Sequence, residues 1–127
     1  GDVERAYEPI MIQKENQVLL DLHSRDLSFV LEEKFATVFA VLERHRIKTN
    51  LIHNSAVNLY MSVDESWHID DAILELEREG FDVEKIENVE MITIRYFTDE
   101  LYHRYAFDER IIIKQVTPDS LRFVRHK

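Results

Sequence analysis

In the stretch IKTNLIHNSAVNLYMSVD, residues 47–64, His53, Asn54, Ser55 and Ala56 interrupt two β-prone runs. Asn and Ser favour turns, and the same side chains suit the edge of a pocket for a small ligand. Both readings stand at this point. Asp70 and Asp71 form a carboxylate pair of the kind used in acid–base work. They sit where a helix begins, however, so we read them as charges that complement its dipole. His23 and His53 lie on separate segments without a tight ligand spacing, and the other histidines are scattered. A metal site is therefore not expected, nor is any cofactor. Glycine occurs only at positions 1 and 80. Loops that cradle phosphate need several glycines to bring backbone N–H groups close to the anion. Any nucleotide chemistry must belong to another part of the protein. No nucleophile and base are paired, so no catalytic residue is assigned.

Composition narrows the field further. The 127 residues are 45% hydrophobic and 32% charged, the balance of a globular domain with a real core, or of two very small ones. Cysteine is absent, which removes disulfide and thiolate chemistry and is compatible with a cytoplasmic setting. The net charge of −9 argues against a nucleic-acid partner, whose backbone is met by clustered Lys and Arg. An RNA-binding sheet would also need a row of aromatics on its face; Trp67, Tyr102 and Tyr105 are read as packing residues. No apolar run approaches the ~20 residues of a membrane-spanning helix, and no secretory apolar segment is read at the start.

The elements that would position these residues follow from periodicity. Residues 9–16 read as a strand ending in a polar turn, and residues 17–24 as a second strand with Val18, Leu20 and Leu22 on one face. Leu31, Phe35, Val38, Phe39 and Leu42 recur at helical spacing over residues 31–46. Glu32 and Glu33 open that helix, and Arg44, His45 and Arg46 close it. Residues 47–52 and 57–63 read as strands. A second helix over residues 66–80 has Ser66 as its cap, Ile69, Ala72, Ile73 and Leu76 as its stripe, and Gly80 just past its end. Residues 82–97 hold one or two strands, 98–107 a short helix or turn, and 110–116 and 121–126 strands joined by a turn with Pro118.

The order from 17 to 97 is βαββαβ. The fold class is thus α+β: a ferredoxin-like sandwich with an antiparallel sheet and two helices on one face. The tail begins a second such unit but lacks its last helix and strand. That incomplete sheet must borrow a strand, and residues 9–16 are available. We read residues 17–97 as the first module, and 9–16 with 91–127 as a reduced second module.

Residues 16–24 (NQVLLDLHS), 35–47 (FATVFAVLERHRI) and 51–64 (LIHNSAVNLYMSVD), in that order and spacing, resemble the C-terminal regulatory region of aspartate kinases. That region carries tandem ACT modules, small βαββαβ units that sense amino acids. The resemblance is strongest over residues 16–64. It implies a first ACT module nested in the second, and a kinase catalytic domain elsewhere in the parent chain that phosphorylates aspartate with ATP. It implies an amino-acid effector, lysine or threonine, bound where first modules of a homodimer meet. By position, the effector-binding residues would be Asp26, Leu27, Phe29, Phe35, Thr49 and Asn50, with Asn54 and Ser55 just beyond. The sequence departs from the family at and around these places, and the loop before the first helix has about one extra residue. Asn50 stands where lysine-inhibited members commonly have Asp, Lys48 stands nearby, and Ala56 replaces a frequent Glu. These departures favour a second expectation, a purely structural dimerisation module that has lost its effector.

Overall fold

A computed structural model describes residues 7–25 and 34–127 of the chain. In order they form β1 (Ile10–Ser24), α1 (Phe35–Arg44), β2 (Thr49–Asn54), β3 (Leu59–Asp64), α2 (Ile69–Arg78), β4 (Phe81–Arg95), α3 (Asp99–Tyr105), β5 (Ile111–Val116) and β6 (Ser120–His126). The strands make a six-stranded sheet in the order β2-β3-β1-β4-β6-β5. The fold class is α+β, ferredoxin-like, with an incomplete second unit. Leu31, Glu32 and Glu33, expected in the first helix, lie outside the described residues.

The chain divides into two compact units, one of Asn16–Val89 and one of the residues up to Glu15 together with Glu90–Lys127. Asn16–Val89 holds the βαββαβ order, with strands arranged β2-β3-β1-β4. β1 meets β3 in antiparallel register, Gln17 opposite Asp64 and Leu22 opposite Leu59. Alternation sends Val18, Leu20, Leu22, Leu59, Met61, Val63 and Phe81 to the face that α1 and α2 cover. There they join Val38, Val41, Leu42, Ala72 and Leu76 in one buried cluster. In the other unit α3 lies over Ile92, Ile94, Leu121 and Phe123. β5 and β6 pair across the Pro118–Asp119 turn, closed by Thr117 N–H on the Ser120 carbonyl at 2.9 Å. The strand order β1-β4-β6-β5 gives β1 the place that a fourth strand would fill.

Several expectations are refined. Residues 9–24 are not two strands parted by a turn: β1 is continuous, with Asn16 at φ 57° inside it. β4 is likewise single, with Asn88 at φ 56°. Asn tolerates this left-handed backbone better than most residues, so each long strand bends without ending, and it does so next to the boundary of the two units. The polar break falls at residues 55–58 rather than 53–56, because β2 runs through His53 and Asn54 and β3 begins only at Leu59. Regular α2 begins at Ile69, yet the Ser66 hydroxyl accepts from the His68 N–H at 3.1 Å, closing the turn ahead of it. Gly80 takes φ 101° just past the end of α2, as expected. α1 ends the same way with Arg46, at φ 56°. Trp67 is not a packing residue of the core: it is 81% exposed, its ring resting on His68.

Candidate functional site

β2 lies at one edge of the sheet and carries four of the residues in question on or beside it. Thr49 pairs with Val63, but Leu51 pairs with Ser62, so Asn50 is the extra residue of a β-bulge. A bulge re-aims a side chain that plain alternation would send elsewhere. Here it puts Asn50 beside Gln17, Ser62 and Asp64, on the face away from α1 and α2. The Asn50 Nδ2 donates to Gln17 Oε1 at 2.9 Å and to Asp64 Oδ1 at 2.7 Å. Gln17 Nε2 donates to the same Asp64 oxygen at 2.9 Å. The Ser62 hydroxyl donates to Gln17 Oε1 at 2.8 Å. Gln17 is 2% exposed and Ser62 fully buried. Among the described residues no buried side-chain nitrogen or oxygen is left without a partner, so this cluster is a satisfied network rather than a defect.

At the far end of β2 the chemistry is that of a turn. The Ser55 N–H donates to the Asn58 carbonyl at 2.9 Å, and the Ser55 hydroxyl accepts from the Asn58 N–H at 3.1 Å. Asn58 Nδ2 reaches Asp21 Oδ1 at 2.7 Å, tying the turn to β1. Asn54, opposite Leu59, is exposed. Asn54 lies four steps along the strand from Asn50, about 13 Å at the usual rise. The expected residues are therefore divided within one chain. Asn54 and Ser55 lie near the end of β1, whereas Thr49 and Asn50 lie beside its middle, with Gln17. Phe35 opens α1, half-buried against the core and edge-on to Phe39 at 6.3 Å. Asp26, Leu27 and Phe29 lie outside the described residues.

The end of β1 is anchored. The Arg25 N–H donates to the Gly80 carbonyl at 3.0 Å, and its guanidinium donates to the carbonyls of Glu77 and Phe81 and pairs with Asp82 at 3.1 Å. A cation on the last carbonyls of α2 is well placed against the helix dipole. Across the helices, Glu75 accepts from Arg44 and from His45, and the Arg44 bond, with that of His45, holds its carboxyl below the usual range. An open cleft of about 670 Å³ is lined by Asn16, Glu65, Ser66 and Trp67, none of them expected site residues.

The other unit carries a different cluster. Arg125 bridges Glu90 at 2.8 Å and Asp108 at 2.8 Å, Arg110 pairs with Asp108, and Gln13 donates to Glu90. Burial pushes the Glu90 carboxyl up, but the bonds from Arg125 and Gln13 outweigh it and leave it below its ordinary value. The Arg110 side chain and backbone N–H draw Asp108 well below the carboxylate range. Among the described residues no three or more His, Asp or Glu side chains are grouped to hold a metal ion.

Sequence reading missed Gln17, Ser62 and Asp64. The available signal was a polar residue at a strand position that the apolar run around it marks as covered, as in QVLL and YMSVD.

No protein-family model matches this chain, and no curated protein is significantly similar to it in sequence. Solved structures match it in fold. E. coli aspartokinase III, in its T-state complex with lysine and aspartate, aligns over 90% of this chain with 22% identity and a TM-score of 0.70. This chain spans only 28% of that one. A chain described as a C-terminal regulatory domain of aspartate kinase from Porphyromonas gingivalis W83 aligns over 94% of this chain and 86% of its own, with 13% identity and a TM-score of 0.75. The ligand-free regulatory subunit of aspartate kinase from Thermus thermophilus aligns over 96% and 89%, with 12% identity and a TM-score of 0.68. The fold is that of the ACT-like regulatory region of aspartate kinases. The resemblance seen over residues 16–64 is thus met by a likeness over nearly the whole chain.

Proposed function

We propose that this chain is the amino-acid-binding and dimerisation region of an aspartate kinase, a non-catalytic part of a longer ATP-dependent phosphotransferase. The observation that carries the reading is the two-sided likeness to separate regulatory domains and subunits, which covers most of this chain and most of theirs. In this reading the first ACT module is nested in the second. The effector is lysine or threonine, held where two copies meet, in a cytoplasmic enzyme whose catalytic domain lies elsewhere in the parent chain. α1 opens at Lys34 without a side-chain cap and with no acidic residue in its first turn, so its positive end suits an α-carboxylate. Asp26, Leu27, Phe29, Phe35, Thr49 and Asn50 would surround the ligand, with Asn54 and Ser55 from the β2–β3 turn. Binding would shift the enzyme between active and inactive arrangements only by its differential affinity for the two.

A second reading, a dimerisation module without an effector, is favoured by the internal engagement of Asn50 and Ser55. Thermal shift against lysine, threonine and methionine, with light scattering for oligomeric state, separates the two. Sensing predicts stabilisation by one amino acid. A dimer with a flat response to all three supports the structural module, and a monomer with a flat response removes both.

A further inference from the structure

We propose that the cleft lined by Asn16, Glu65, Ser66 and Trp67 is a binding site for an organic cation, a guanidinium or ammonium group that stacks on the Trp67 indole and pairs with the Glu65 carboxylate. The site shares no residue with the effector reading above and stands or falls apart from it.

The starting point is Trp67. It is the only tryptophan of the chain and is 81% exposed, although an indole is usually largely covered. Part of its ring rests on the His68 imidazole, centroids 3.7 Å apart, and Trp67 also lines the cleft. At about 670 Å³ the cleft has the size that small ligands fill. Its lining comes from two places in the chain and is held in place. The Asn16 carbonyl accepts from the Glu65 N–H at 2.7 Å, and the Ser66 hydroxyl accepts from the His68 N–H at 3.1 Å. A ligand therefore meets a shape that exists before it arrives, which lowers the cost of ordering.

Charge decides the class of ligand. No lysine or arginine occurs from residue 49 to residue 77. Lys85, which reaches α2, is held by Asp70 at 2.7 Å and Glu87 at 3.1 Å. The Glu65 side chain has no hydrogen bond or ion pair among the described residues. A helix start by itself favours an anion, but the first turn of α2 already carries the carboxylates of Asp70 and Asp71, and a further anion would meet Glu65 at the cleft. A cation finds both a carboxylate and an electron-rich ring face. A guanidinium suits the ring best, because it is planar and weakly hydrated. The net charge of −9 acts in the same direction at longer range.

The test uses the full chain and agmatine, which has a guanidinium and an ammonium but no carboxylate. Trp67 gives the only indole N–H resonance of the chain. 15N NMR follows it at constant ionic strength through titrations with agmatine, acetate and glucose. The expected result is a saturable shift with agmatine in the millimolar range and none with acetate or glucose. Glu65→Gln should weaken agmatine binding about threefold at an unchanged melting temperature, since Glu65 is exposed. Followed through the Ser66 amide, Trp67→Phe should keep part of the affinity and Trp67→Leu should lose it. A capped Gly-Arg-Gly peptide binding tighter than agmatine would support the site and identify a protein side chain as the source of the cation; the reverse order would support it with a free amine as the source. A glucose shift as large as that of agmatine makes the indole a sugar platform and overturns the inference. So does a shift with acetate, an undiminished affinity in Glu65→Gln, or no saturable shift with agmatine. None of these outcomes touches the sensing reading, which lysine and threonine test separately.

Discussion

The unit Asn16–Val89 and the unit built from Glu90 onward with the start of β1 have unequal means. The first lays two ten-residue helices over a broad apolar cluster that runs from Val18 to Phe81. Its polar network is neutral apart from Asp64. The second has one seven-residue helix with no buried residue, and its apolar cluster is Ile92, Ile94, Ala106, Leu121 and Phe123, with half-buried aromatics around it. What it adds is charge: Arg125 between Glu90 and Asp108, with side chains only 12%, 7% and 18% exposed. The contrast teaches that a reduced sheet with little helix to cover it can be held by a partly buried ion network. Such a network depends on every member, because a lone buried charge costs more than the pair contributes.

Core truncation is the strongest way to break this comparison. Phe81 and Phe123 are both fully buried. Phe81→Ala should cost about 3–5 kcal/mol in urea unfolding. Phe123→Ala should fall near the low end, about 3 kcal/mol, because its half-buried neighbours, Tyr105 stacked on it among them, can relax into the space. The reverse order would show that the smaller unit has the better-packed core. Next comes the ion network. Arg125→Met strands the Glu90 carboxylate and should cost on the order of 3 kcal/mol, much of it recovered by the double change with Glu90→Leu. The neutral network is expected to be gentler, Ser62→Ala costing about 1 kcal/mol. If Arg125→Met costs no more than Ser62→Ala, the charge cluster is not what holds its unit.

Acid sharpens the comparison. Glu90 and Asp108 are both held below their ordinary values of 4.5 and 3.8. Depressed carboxylates contribute stability that is complete above those values and is lost as pH falls through the lower, folded ones. Amide NMR from pH 6 to 3 should therefore show β6 losing protection below about pH 4.5, and less steeply in Arg125→Met. In the larger unit Glu75 is shifted the same way by Arg44 and His45, so the α1–α2 contact should loosen in the same window, with the core beneath it retained. The smallest expected effects concern helix ends. Gly80→Ala meets no atom within 4 Å but keeps φ 101°, so it should cost about 1 kcal/mol from backbone strain alone. Arg46→Gly, at φ 56°, should be neutral or stabilise by a few tenths of a kcal/mol. Melting temperatures of the two variants read this directly.

Periodicity, end signals and composition are local properties, and they were legible in the chain by itself. Leu20 and Leu22 at spacing two, Val38, Val41 and Leu42 at helical spacing, Gly80 after a charged last turn, two glycines and no cysteine were enough for the element order, the ferredoxin-like class and the exclusion of phosphate loops. The spacing of residues 16–64 carried the family likeness. Tertiary structure alone decided three things. Asn16 and Asn88 bend β1 and β4 instead of ending them, because a left-handed residue inside a paired strand looks like a turn until its neighbours are known. Ser55 closes a turn within its own loop. Asn50 sits on a bulge that sets it beside Gln17, 33 residues away, and Asp64, 14 away. A one-residue shift of register reverses which face a side chain takes, and register is settled by the partner strand, so no reading of β2 by itself could have assembled that cluster.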